Sequence, residues 1–315
     1  MTQVRRVAYA ALAFAVVHIV FGAIVRITGS GMGCGDHWPR CQGTFFPSLD
    51  RPDLVIELTH RYLAAGLSVT ILALVALTIG RSVSADAATG AHREDVRGPA
   101  LLAAGIVLAT ALLGAVVVKL ELTNKYVIVA HLALAMALVA ALVVTVQRAG
   151  GMGAASVAAG TASARTWRAA RAAAVLALVA VVLGGLTAHL PGANSSCRGF
   201  PGCGRGMSPA GAGLYVQLAH RAIAFALLAH VVFAARAVRR RGEHVVVVRA
   251  ATIGVALVAL QIVVAAALVE LPLPPVLRSL HQAIGTLVWL ALFTWAALAR
   301  RGVSATGAPV PVLTP

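Results

Sequence analysis

Charge is what this sequence has least of. Asp, Glu, Lys and Arg together make up 11% of its 315 residues, where a soluble domain carries about 25%, and a soluble globular protein is excluded. Lysine is nearly absent too: 24 of the 26 basic residues are Arg. These are scattered between apolar runs rather than gathered on one segment with interleaved aromatics, which amount to only 5% of the chain. A nucleic-acid partner is therefore not expected, despite a formal net charge of +16.

What the chain has in abundance is apolar sequence, 60% by residue. Runs of membrane-spanning length fall near 7–27, 57–79, 99–119, 125–146, 170–189, 214–236, 249–270 and 277–299, each close to the roughly 20 residues a span needs. They predict an all-α integral membrane protein of eight transmembrane helices. Arg5 and Arg6 precede the first run as in a signal peptide, but the run is too long for one and lacks a clean small-x-small cleavage site. It is expected to stay as a helix. With the N-terminus inside, 16 Lys and Arg fall on the inner side and 10 on the outer side. The positive-inside rule then places the chain in the plasma membrane with both termini cytoplasmic. The connection after Arg148 is rich in Gly, Ala and Ser and reads as a flexible linker, 149–169, between halves 1–148 and 170–301. The tail 302–315, with three prolines and no charge, is expected to be disordered.

The two halves read as a duplication. Glu57-Leu-Thr-His60-Arg61 opens the second helix, and Gln217-Leu-Ala-His220-Arg221 opens the sixth, 160 residues later. His131 and His281, in the fourth and eighth helices, are 150 residues apart. Gly22 and Arg26 lead into a loop with Cys34 and Cys41, as Gly185 and His189 lead into one with Cys197 and Cys203. A unit of four spans keeps its orientation when repeated, so two tandem four-helix bundles are expected, related by a pseudo-two-fold axis along the membrane normal.

The four repeated histidines all enter from the outer side and lie within about two turns of their helix starts. An imidazole at that depth is costly without a partner, so His60 with His131, and His220 with His281, read as two pairs of metal ligands. Zinc would need four ligands per site. A haem needs two axial imidazoles and an apolar bundle, which each half offers. Arg61 and Arg221, next to the ligands, are candidates to meet haem propionates, with Arg26 and His189 near the same surface; Arg26 serves equally as a snorkelling residue. His18 and His230 read as ordinary core histidines, and His37, His92 and His244 as solvated loop residues.

The copies differ at one telling place. Glu57 stands one turn before His60, where the second half has Gln217. A carboxylate beside one haem suits proton-coupled oxidation, making the first half the candidate for chemistry and Glu57 its catalytic residue; a helix-capping role for Glu57 is the alternative. The four cysteines form two close pairs in outer loops, and on an oxidising face Cys34 with Cys41, and Cys197 with Cys203, are expected disulfides. Thiol exchange at the first pair is the other reading.

Thr28-Gly-Ser-Gly31, Cys34, Trp38-Pro39, Cys41, Glu57, His60-Arg61-Tyr62, His131, His220-Arg221 and His281 together resemble the haem A synthase family, over roughly residues 5–300. The resemblance implies oxidation of a ring methyl of haem O to the formyl group of haem A, for cytochrome c oxidase. It implies haem b on His220 and His281, and substrate haem O on His60 and His131 with Glu57 needed for the chemistry. A haem O synthase as supplier and an unidentified electron donor or acceptor are the implied partners. Two other readings compete. A two-haem electron carrier exchanging with quinone explains the histidines but leaves the Glu57–Gln217 difference unused, and a transporter predicts no bound haem.

Overall fold

The computed structural model describes residues 2–35, 40–79, 95–208 and 211–303. The expectations for His37, Trp38, Pro39 and His92, and for the tail beyond residue 303, lie outside the described residues. Within them run α1 (Thr2–Thr28), α2 (Pro52–Ile79), α3 (Arg97–Lys119), α4 (Lys125–Arg148), α5 (Ala164–His189), α6 (Ala212–Arg240), α7 (Val245–Glu270) and α8 (Pro275–Gly302). All eight are long and apolar enough to cross a membrane, and the chain is a multi-pass membrane protein.

Most of the helices outrun their apolar runs because polar and proline residues start them early. Proline at the first position suits a helix start, its missing N–H being an orphan there anyway, and α2 and α8 both open on one. Asn124 caps α4 by accepting from the Tyr126 and Val127 amides, and Ser163 caps α5 by accepting from the Thr166 amide. The early start of α5 shortens the supposed linker. The chain from Ala149 to Ser163 is moreover a folded connection: Ala154 sits buried in a 3-10 turn and the Ala162 amide donates to the Gly302 carbonyl. Small residues that read as flexible by composition are here the ones that fit under the helix ends. His244 likewise departs from its solvated reading, since its Nδ1 accepts from the Val246 amide and caps α7.

Helix packing repeats. In the first half α1 packs on α2, α2 on α3, α3 on α4 and α4 back on α1; in the second, α5 on α6, α6 on α7, α7 on α8 and α8 back on α5. Alanine stripes, Ala8, Ala11 and Ala15 on α1 and Ala170, Ala173 and Ala177 on α5, are buried and let backbones approach closely. The halves meet where α8 packs on α1 and α4 and where α5 packs on α4, and Trp289 Nε1 donates across this seam to the Met136 carbonyl at 2.9 Å. Leu72, Leu108, Leu112 and Phe233 are exposed, forming the surface that lipid covers.

Between α6 and α7, Glu243 ties the connection to the start of α5. It accepts from Ser163 Oγ at 2.7 Å, Thr166 Oγ1 at 2.6 Å and Arg241 Nε at 2.8 Å. Burial disfavours its charge, but the hydrogen bonds from Thr166, Ser163 and Arg241 prevail and hold the carboxyl below its ordinary 4.5. A depressed folded value means a contribution present in full above 4.5 and lost as pH falls through the lower folded value. Glu243→Gln is expected to cost about 2 kcal/mol at neutral pH, read as a lower Tm in detergent. The gap from the unaltered chain should narrow once pH drops below 4.5; a gap independent of pH would contradict this account.

Candidate functional site

The N-terminal ends of α2 and α6 carry matching brackets. Glu57 is 4% exposed, and its Oε2 accepts from the Cys34 amide at 2.8 Å while its Oε1 meets Arg61 Nη2 at 2.6 Å. Gln217, 5% exposed, accepts from the Cys197 amide at 2.8 Å through Oε1 and from Ser196 Oγ at 2.9 Å. Each bracket thus holds the amide of the first cysteine of a loop. Both loops are closed by disulfides, Cys34 to Cys41 and Cys197 to Cys203.

The two arginines next to the candidate ligands face these loops. Arg61 donates to the Gly35 and Arg40 carbonyls besides Glu57, and Arg221 donates to the carbonyls of Cys197, Gly199, Pro201 and Gly202. Both guanidiniums are thus engaged with loop carbonyls, and Arg221 also lines the second-half cleft. A tight disulfide loop turns its carbonyls inward, and these need donors. The cations that do line the second-half cleft alongside Arg221 are Arg26, reaching over from α1, and Arg278 at the start of α8.

That cleft lies among α5, α6, α7 and α8 and holds a cavity of about 230 Å³. His220 and His281 both line it, with ring centroids 6.4 Å apart and planes at 74°. Two imidazoles binding one metal from opposite sides, with metal–nitrogen bonds of about 2 Å, have ring centres about 6 Å apart. The separation fits. His220 Nδ1 lies 2.9 Å from the Ala180 carbonyl, an arrangement that fixes the tautomer and leaves Nε2 for a ligand. Its wall is shaped for it as well, since a Cβ at Gly184 would stand 3.0 Å from His220 Cε1. Gln261 Nε2 donates to the His281 carbonyl at 2.9 Å and lies 3.3 Å from its Nε2. Among the described residues no cluster of three or more His, Cys, Asp or Glu could hold a metal ion.

In the first half the same glycine relation recurs: a Cβ at Gly22 would stand 3.0 Å from His60 Cε1 and one at Gly114 3.2 Å from His131 Cε1. The partner of His60 differs. Its ring stacks on His18 of α1, centroids 4.2 Å apart and planes 6° apart, and His131 is near enough to both to interact electrostatically. The Nδ1 atoms of His18, His60, His131 and His281 are buried without a hydrogen-bond partner. His230, by contrast, has its Nε2 2.8 Å from the Ala169 carbonyl and is the ordinary core histidine its isolation implies.

Three residues at these sites escape sequence reading: His18, Gln261 and Arg278. The available signal was polarity inside or at the edge of an apolar span. For His18 there was also its position one turn before Gly22, on the same helix face.

Comparison with known proteins agrees with this geometry. The Cytochrome oxidase assembly protein family (COX15-CtaA) matches residues 5–293. A "Heme A synthase" of Geobacillus kaustophilus is 48% identical over 58 residues, 18% of this chain and 18% of its own. A "Heme A synthase" of Lysinibacillus sphaericus is 35% identical over 94 residues, 30% of this chain and 28% of its own. A "Protoheme IX farnesyltransferase" of Thermus thermophilus is 43% identical over 67 residues, 21% of this chain and 11% of its own. The aligned stretches thus span well under a third of the length of these relatives, whereas the family match runs nearly end to end. With eight spans and histidines paired behind disulfide loops, the chain belongs to the family of cytochrome oxidase assembly proteins.

Proposed function

We propose that this protein is a haem A synthase, oxidising the ring methyl of haem O to a formyl group. The observation that carries the reading is the exchange of Glu57 for Gln217 in two otherwise matched brackets. One half keeps a neutral amide beside its histidine, as electron storage needs; the other keeps a carboxylate, as oxidation with proton release needs. The names of the Geobacillus and Lysinibacillus relatives support the same activity.

His220 and His281 hold haem b in the second half, with Arg26 and Arg278 lining the cleft where propionate charge would be met. His60 and His131 hold substrate haem O in the first. Iron supplies the electron-transfer chemistry that no side chain here provides. Methyl to formyl with water as the oxygen source releases four electrons and four protons. The protons released need a base, and Glu57, one turn from His60, is the carboxylate in position. Arg61 holds that carboxylate at 2.6 Å, and the Cys34 amide donates to its other oxygen at 2.8 Å. The two halves act as pseudo-symmetric bundles with both termini cytoplasmic and the cysteine loops outside. Haem O comes from a haem O synthase in the same membrane, a supply consistent with the similarity to the Thermus farnesyltransferase. Electrons leave to a separate redox partner.

The test is to express the chain with a haem O synthase in cells lacking haem A and to identify the extracted haems by chromatography. Haem A should appear only with this chain present. Bound haem b with haem O left unconverted under aerobic conditions would defeat the proposal and favour a dihaem electron carrier.

A further inference from the structure

We propose that His18 is an alternative axial ligand to the haem iron of the first half, able to take the place of His60. The inference rests on the haem-binding reading above. His18 and His60 come from different helices, yet their rings are parallel, with centroids 4.2 Å apart. A displacement of that length moves one imidazole into the place of the other.

The second half shows what a fixed ligand looks like. Gly22 and Gly184 set the register, since a Cβ at either would stand 3.0 Å from a histidine Cε1. Four residues before them stand His18 and Ala180. At 180 there is no ring, and the main-chain carbonyl lies 2.9 Å from His220 Nδ1, anchoring that imidazole. At 18 there is a second imidazole, and His60 Nδ1 is buried with no hydrogen-bond partner. His60 is thus held by stacking where His220 is held by a directional bond.

His18 also resembles the ligands rather than the core histidine. Its Nδ1 is buried and unpartnered like those of His60, His131 and His281, whereas His230 has a carbonyl partner. Two interchangeable imidazoles on one side give this half a ligand that can leave and be replaced without water filling the position. The second half has no such device.

The experiment uses the full chain purified in detergent and loaded with haem O, read by haem stoichiometry and low-temperature EPR. The wild type should show two low-spin bis-imidazole signals, and the haem b signal of the second half serves as the folding control in every variant. His60→Ala, and His60→Leu as a variant that fills the space, should keep both signals. His18→Ala should keep both as well. His18→Ala combined with His60→Ala should lose the first-half signal and at least tenfold of haem O affinity. If either His60 variant alone loses that signal while the haem b signal persists, or if the double variant keeps it, His18 is no ligand. A wild-type chain with only the haem b signal would instead overturn the first-half haem reading, and this inference with it.

Discussion

Glu57→Gln is expected to lower haem A formation about 100-fold or more, the scale of a lost general acid or base, while haem b content and Tm stay near those of the unaltered chain. The substitution is unusually clean because the second half already contains its product. Gln217 holds the Cys197 amide at 2.8 Å, the distance at which Glu57 holds the Cys34 amide. An amide at 57 can therefore keep the loop in place. What it removes is charge: the contact with Arg61 at 2.6 Å becomes that of a neutral acceptor, and Arg61 retains the Gly35 carbonyl at 2.7 Å. Replacement by Ala would be a poorer test, since the Cys34 amide would lose its acceptor and the disulfide loop with it. Haems extracted from cells co-expressing a haem O synthase provide the readout. Haem A at unaltered levels from the Gln variant would make Glu57 a loop bracket and return catalysis to an unassigned group.

Much of this architecture is legible in the sequence because the membrane imposes simple rules. A span must be long and apolar, and a polar residue within it must have a partner. The eight helices and the prominence of His220 and His281 follow from these rules alone. What stays hidden depends on three-dimensional direction. Arg61 and Arg221 follow histidines in sequence, but that adjacency does not reveal that their guanidiniums also hold the loop carbonyls. The connection after Arg148 has the composition of a linker, yet alanines and glycines also fill tight corners, and Ala154 and Ala162 are buried. His18 has no histidine counterpart in the second half, so the comparison that singled out the other four passed it over. Its meaning emerges only when α1 is laid against α2.

The glycines beside the histidines carry the second large expected effect. A Cβ at Gly184 would stand 3.0 Å from His220 Cε1, closer than carbon atoms pack. The imidazole cannot retreat freely, because its Nδ1 is held 2.9 Å from the Ala180 carbonyl on the same helix as Gly184. Gly184→Val adds two methyl groups beyond that Cβ and must either break this bond or push the ring across a cleft sized for a 6.4 Å separation from His281. Either outcome misplaces one axial ligand, and a displacement of about 1 Å is enough to spoil a site of this kind. Haem b should fall below about a tenth of its unaltered content, measured by pyridine haemochrome, with the helical signal in circular dichroism preserved. Gly105→Val, on α3 where a Cβ meets nothing within 4 Å, is the matched control and should retain full haem b. Gly22→Val, whose Cβ would stand 3.0 Å from His60 Cε1, should spare haem b and reduce haem O binding only when combined with His18→Ala. Full haem b retention by Gly184→Val would mean that the His220 ring is not seated where the ligand is held. A loss of haem b from Gly22→Val would mean that the two halves do not bind independently.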